Sequence, residues 1–136
     1  MNTKEKQKIL MDNYLNPDRL DKFFNSNDFS ILETPKISCA DSYNLYYKKE
    51  NEIITNIFFN GEGCIISKAS INLMLNLIIN KKISEINPIL DQYLDLIEKG
   101  MESKSLGDLN AFHNTKNTPA RVDCALLVYN SLKGIS

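Results

Sequence analysis

The 136-residue chain has only three cysteines, Cys39, Cys64 and Cys124. So small and odd a set of thiols describes no disulfide framework, which excludes a cystine-stapled secreted fold. None of them stands in a CxxC pair, so the spacing signal of a zinc finger is missing as well. An excess of either charge is absent: 16 Lys and Arg face 17 Asp and Glu, for a formal net charge of −1. With no basic surplus the chain lacks the electrostatic footprint of a nucleic-acid binder. No apolar run approaches the roughly 20 residues that cross a bilayer. The opening Met1-Asn2-Thr3-Lys4-Glu5-Lys6 is charged and leads into no apolar signal segment. Repeats and low-complexity tracts are lacking too. These absences predict a cytoplasmic protein with neither a membrane nor a nucleic-acid partner.

Hydrophobic residues make up 43% of the chain, enough to fill the core of a single domain over 1–136. Ile9, Leu10, Tyr14 and Leu15 fall near helical spacing within a first helix from Glu5 to Phe24, which Asn16-Pro17-Asp18 interrupts or bends. Asn25 to Asp28 has turn composition, and Pro35 sets off the segment leading to Cys39. Three strands follow: a weakly patterned edge at Phe29 to Glu33, then Ser42 to Lys49, then Ile53 to Asn60. Glu50-Asn51-Glu52 joins the last two as a tight antiparallel hairpin. The aromatic residues Tyr43, Tyr46, Tyr47, Phe58 and Phe59 are expected in the sheet core. Gly61-Glu62-Gly63 ends the third strand with a sharp turn onto Cys64.

Helices complete the chain. Ser67 is the expected N-cap of one reaching about Asn80, and Ser84 opens another that stops at Gly100. Residues 101–118 form a polar, irregular insertion. Thr118-Pro119 then starts a last helix to about Lys133. Helix, three-stranded antiparallel sheet and helices make an α+β domain.

Each cysteine sits at an element boundary. Cys39 lies in a loop two residues before Asp41, Cys64 just ahead of a helix, and Cys124 in the first turns of the last helix. A helix N-terminus carries partial positive charge and favours thiolate over thiol. Three thiolates and the Asp41 carboxylate make a complete tetrahedral set for Zn²⁺. Spacing alone leaves open the alternative that Cys64 and Cys124 are packing residues and Cys39-Ala40-Asp41 is a turn.

Five segments bear on that choice: Met11-Asp12-Asn13-Tyr14-Leu15-Asn16-Pro17, Ser38-Cys39-Ala40-Asp41, Phe59-Asn60-Gly61-Glu62-Gly63-Cys64-Ile65-Ile66-Ser67-Lys68-Ala69-Ser70, Leu106-Gly107-Asp108-Leu109 and Pro119-Ala120-Arg121-Val122-Asp123-Cys124-Ala125-Leu126-Leu127. In this order, over Ile9 to Lys133, they resemble the IscU/NifU-N scaffold family of iron–sulfur cluster assembly. The block around Cys64 is the most specific of them. The long insertion, Asp123 in place of a His, and the lack of a Leu-Pro-Pro-Val-Lys segment resemble the SufU branch. The family pattern Cys-Gly-Asp stands here as Cys39-Ala40-Asp41, which costs the loop backbone freedom. Asp123 adds negative charge beside the last cysteine.

The resemblance implies a small sheet covered by helices with a metal site at one end, held by Cys39, Asp41, Cys64 and Cys124. It implies a zinc-dependent acceptor of persulfide sulfur from a pyridoxal-phosphate-dependent, SufS-like cysteine desulfurase, serving downstream iron–sulfur assembly or apo proteins. The alternative is a scaffold that builds a [2Fe–2S] cluster on the same ligands, and a third reading is a purely structural zinc domain. Three thiolates and a carboxylate around Zn²⁺ leave a doubly negative site, for which Arg121 and Lys68 are the candidate counter-charges. Cys39, in its loop, is the expected sulfur acceptor. His113 and Asp108 are expected at the surface of the insertion.

Overall fold

In this computed structural model, which describes residues 1–21, 29–33 and 42–135, the sheet is organised by the two-residue turn Asn51-Glu52. Both residues take positive φ, 52° and 64°, the geometry whose twist matches paired antiparallel strands. The turn joins β2 (Ser42–Glu50) to β3 (Ile53–Glu62). The short β1 (Ser30–Glu33) pairs with β2 on its other side, giving the antiparallel order β1-β2-β3. This is the expected α+β sheet, and β1 is its edge.

β3 runs beyond Asn60 because Gly61 is a strand residue here rather than a turn residue. It pairs with Tyr43 at φ +136°. A Cβ at this position would collide with the Ser42 carbonyl oxygen and stand 2.8 Å from Tyr43 Cα. Only glycine tolerates both the dihedral and the approach.

The sheet aromatics divide between two faces. Tyr43, Leu45, Ile57 and Phe59 join the main core, with the Tyr43 and Phe59 rings edge-on at 5.9 Å. Tyr46 and Phe58 are cross-strand partners whose rings stack at 5.3 Å, and Phe29 meets Phe58 edge-on at 4.9 Å.

α1 (Thr3–Leu15) is capped by Asn2, whose side chain accepts the Glu5 N–H at 2.8 Å. It stops at Leu15 rather than continuing towards Phe24, because Asn16 precedes Pro17 and is kept out of the helical region. The chain then runs beside β3: Phe59 N–H donates to the Arg19 carbonyl at 2.9 Å, and Asp21 N–H donates to the Phe59 carbonyl at 3.0 Å.

α2 (Ile65–Ile78) and α3 (Ile83–Lys99) follow. Gly100, at φ 72°, ends α3 as expected. The expected continuous last helix is two: α4 (Pro119–Ala125) and α5 (Leu127–Leu132). α2 packs against α1, β3, α4 and α5. Its Ile71, Met74, Leu75 and Ile78 are fully buried, each worth roughly 1.5–3 kcal/mol of apolar transfer.

The insertion is more ordered than its polarity predicts. Lys104–Phe112 and Thr115–Asn117 are 3-10 turns, and Leu106, Leu109 and Phe112 enter the core. They recur every three residues, which is the 3-10 period. No described helix is long and apolar enough to cross a membrane. The expected turn at Asn25–Asp28, Pro35, and the site residues Cys39 and Asp41 lie outside the described residues.

Candidate metal centre

Cys64 itself, not Ser67, is the N-cap of α2. Its backbone is extended, with φ −75° and ψ 172°. Its Sγ accepts the Ser67 N–H at 3.5 Å, which occupies one of the amides that a helix start leaves without a partner. Serine three residues into a helix cannot cap it, but its hydroxyl can reach back, and Ser67 Oγ donates to the Cys64 carbonyl at 3.2 Å. The same oxygen lies 3.6 Å from Cys64 Sγ. The cysteine side is exposed and the serine fully buried.

Behind Ser67 stands a buried line of hydroxyls. Tyr43 Oη, 3% exposed on β2, is 3.0 Å from Ser67 Oγ. Ser70 Oγ donates to the Ser67 carbonyl at 3.0 Å. Tyr93 of α3 donates to the Ala125 carbonyl at 2.7 Å. Burial pushes the Tyr93 hydroxyl far above the usual tyrosine range, and the Ser70 hydroxyl works against that rise. A buried polar group without a partner costs roughly 1–3 kcal/mol, so these hydroxyls persist in an apolar helix interface because each is bonded. The signal was present in the sequence: Ser67 and Ser70, three residues apart, interrupt an otherwise apolar stripe.

Cys124 is the penultimate residue of the seven-residue α4, half-buried. The expectation that it sits at a positive helix start is therefore corrected. The helix breaks at Leu126 (φ −86°, ψ −2°), so Cys124 falls near the end of a short piece. The broken end is tied back through Ala125, next to Cys124, to Tyr93. Tyr93 in turn stands beside Ser70, on the second turn of the helix that Cys64 caps.

The segment bearing Cys39 and Asp41 leads directly into Ser42, and Ser42 pairs with Glu62, two residues before Cys64. Among the described residues no three His, Cys, Asp or Glu side chains form a metal-holding group. Thiol sulfur suits both zinc and iron, and the exposed Cys64 Sγ with its fixed N–H partner fits a metal ligand better than a packing residue.

The candidate counter-charges lie on the two cysteine helices. Lys68 Nζ stands over the Tyr14 ring at 5.3 Å from its centroid, and Arg121 is exposed on α4 one turn before Cys124. His113 is half-buried rather than fully at the surface, with Nε2 3.1 Å from Lys6 Nζ. Asp108 is exposed in the insertion, as expected.

A second joint, invisible to motif reasoning, holds α1 on α2. Asn72, 1% exposed, accepts the Arg19 N–H at 2.9 Å and donates to Asn13 Oδ1 at 2.8 Å and Asp18 Oδ1 at 3.1 Å. Asn76 donates to the same Asp18 oxygen at 2.8 Å. Burial alone would raise the Asp18 carboxyl, but the Asn76 and Asn72 amides, its own backbone N–H and Arg19 together hold it below its ordinary 3.8.

Residues 4–125 match the NifU-like N terminal domain family. The chain is 34% identical over 110 residues to the iron–sulfur cluster assembly scaffold protein IscU of Thermotoga maritima, covering 79% of this chain and 77% of that one. It is 31% identical over 134 residues to the zinc-dependent sulfurtransferase SufU of Bacillus subtilis, covering 96% and 88%. Among solved structures, one described as an iron–sulfur cluster assembly scaffold protein for the SUF system of Fervidobacterium islandicum superposes with a TM-score of 0.81 at 30% identity, covering 93% of this chain and 92% of that one. A NifU-like protein of Brucella abortus shares the fold, with a TM-score of 0.78 at 16% identity over 92% and 87% of the two chains. The chain belongs to the NifU-like N terminal domain family, the iron–sulfur cluster assembly scaffold family of IscU and SufU.

Proposed function

We propose that this protein is a zinc-dependent sulfur acceptor, taking persulfide sulfur from a SufS-like cysteine desulfurase for iron–sulfur cluster biogenesis. The observation that carries the reading is Cys64: an exposed thiol fixed by the first turn of α2, in the block Gly61 to Ser70 most specific to the family. The 96% coverage shared with the zinc-dependent relative supports it.

Cys39, Asp41, Cys64 and Cys124 would hold the metal. Zn²⁺ bound there supplies Lewis acidity that keeps the thiols deprotonated. Arg121 and Lys68, on the helices of Cys124 and Cys64, offset the negative charge of the ligand set. Cys64 is anchored by its cap bond to Ser67 and Cys124 by its helix, whereas Cys39 is the acceptor in this reading. Its thiolate attacks the outer sulfur of the partner's persulfide. One S–S bond forms as the other breaks, and the partner's cysteine leaves as thiolate. The transferred sulfur stays on Cys39 as a persulfide, and no external oxidant or reductant enters.

The test is mass spectrometry of each cysteine after mixing with a persulfide-loaded desulfurase. Cys39→Ser is expected to take up no sulfur. Full persulfide yield in that variant would move the acceptor role to Cys124. The relationship to IscU supports a second reading, a [2Fe–2S] cluster carried as cargo on the same ligands. Visible absorbance after anaerobic addition of iron and sulfide, without sulfur uptake from the desulfurase, would favour it.

A further inference from the structure

Ser67 is fully buried, yet it touches the exposed sulfur of Cys64 in two ways: its N–H reaches Sγ at 3.5 Å and its hydroxyl lies 3.6 Å away. The Cys64 thiol donates to this hydroxyl oxygen, while the hydroxyl hydrogen goes to the Cys64 carbonyl at 3.2 Å. The hydroxyl oxygen is itself held at 3.0 Å by Tyr43 Oη. Tyr43 is the second residue of the strand that follows the Cys39–Asp41 segment, and its ring is wedged against Phe59. The Ser67 carbonyl is held separately by Ser70 Oγ. Every polar group of Ser67 is thereby held: the N–H by the Cys64 cap, the hydroxyl by Tyr43 of β2, and the carbonyl by Ser70 in the next turn of α2. That is more constraint than a helix start needs, since a cap bond alone satisfies the exposed amide.

We propose that Ser67, held by Tyr43, is a positioning residue that sets the direction in which Cys64 Sγ presents itself as a ligand, coupling it to the strand leading from the Cys39–Asp41 segment. This rests on the ligand assignment of the preceding section. Hydrogen-bond partners of ligand atoms orient the ligand, and their loss typically lowers metal affinity by roughly ten- to a hundredfold.

The experiment uses Co²⁺ as an optical probe of the whole protein, with thermal unfolding of the metal-free protein measured in parallel. The variants are Ser67→Ala, Tyr43→Phe and the two combined. Each variant removes a hydrogen bond of the buried hydroxyl line and is expected to lower the melting temperature. Tyr43→Phe does so without touching Cys64 and serves as the control for stability alone. Cobalt behaves differently if Ser67 positions the sulfur. Affinity falls about tenfold or more and the ligand-field bands shift in Ser67→Ala and in the double variant, beyond what Tyr43→Phe shows at a comparable loss of melting temperature.

Wild-type affinity and spectrum in folded Ser67→Ala would overturn the proposal and leave Ser67 a packing residue. If Ser67→Ala does not fold, Tyr43→Phe decides alone: shifted ligand-field bands support the coupling, and a wild-type spectrum overturns it. Absence of any thiolate-to-cobalt charge-transfer band in the wild-type protein would refute the ligand assignment itself, and this inference with it.

Discussion

Tyr93 Oη donates to the carbonyl of Ala125 across 2.7 Å, at the point where α4 gives way to α5. A carbonyl at a helix break has lost its regular partner, and this one is satisfied from a neighbouring helix. Tyr93→Phe keeps the ring and removes the bond. It is expected to destabilise the protein by about 1–3 kcal/mol, read as a lower urea midpoint at unchanged slope. An unchanged midpoint would show that the break does not depend on Tyr93.

The Asp18 joint gives a pH dependence. Because the folded protein holds this carboxyl below 3.8, its ionised form contributes stability that is complete above that value and is lost as pH falls through the lower folded value. The group is largely exposed, so the contribution is below about 1 kcal/mol after solvent screening. Wild type should lose more stability than Asp18→Asn between pH 5 and pH 3. Equal losses, followed by urea unfolding at the two pH values, would contradict the account.

Cys64 caps α2 and is the proposed metal ligand, and substitution separates the two. Serine is a good N-cap, so Cys64→Ser should stay within about 1 kcal/mol of wild type. Cys64→Ala loses the acceptor for the Ser67 N–H and should cost roughly 0.5–2 kcal/mol. Both should abolish thiolate-to-metal charge transfer from this position. Calorimetry and cobalt titration of the pair check the two halves independently.

Much of the fold was legible in local signals. The alternation of Tyr43, Leu45 and Tyr47 gave β2, the Glu50-Asn51-Glu52 hairpin gave its partner, and Gly100 gave the end of α3. The misses share a cause, tertiary context overriding local preference. Ser67 has the composition of a cap, but Cys64 takes the amide first. Gly61 has the composition of a turn, but the close approach of Ser42 makes it a strand residue. The continuous pattern from Pro119 to Lys133 hid a break whose carbonyl is satisfied by Tyr93, far away in sequence. Leu106, Leu109 and Phe112 followed a period of three, which a search for helical or alternating patterns passes over.

The proposed site was read from the sequence as three cysteines and an aspartate in family motifs. Of these, Cys64 and Cys124 lie in the described structure, where they prove unlike each other: one caps a helix start, the other sits near a helix end. Of their buried support, Ser67 and Ser70 stand in the block around Cys64, whereas Tyr43 and Tyr93 come from a strand and a helix that only the fold brings to them.

The most direct test of the central claim is the turnover of a cysteine desulfurase, followed as alanine released from cysteine, with and without the zinc-loaded protein. The account predicts a large stimulation that disappears with Cys39→Ser. Unchanged turnover with the zinc-loaded wild type would contradict sulfur acceptance as its function.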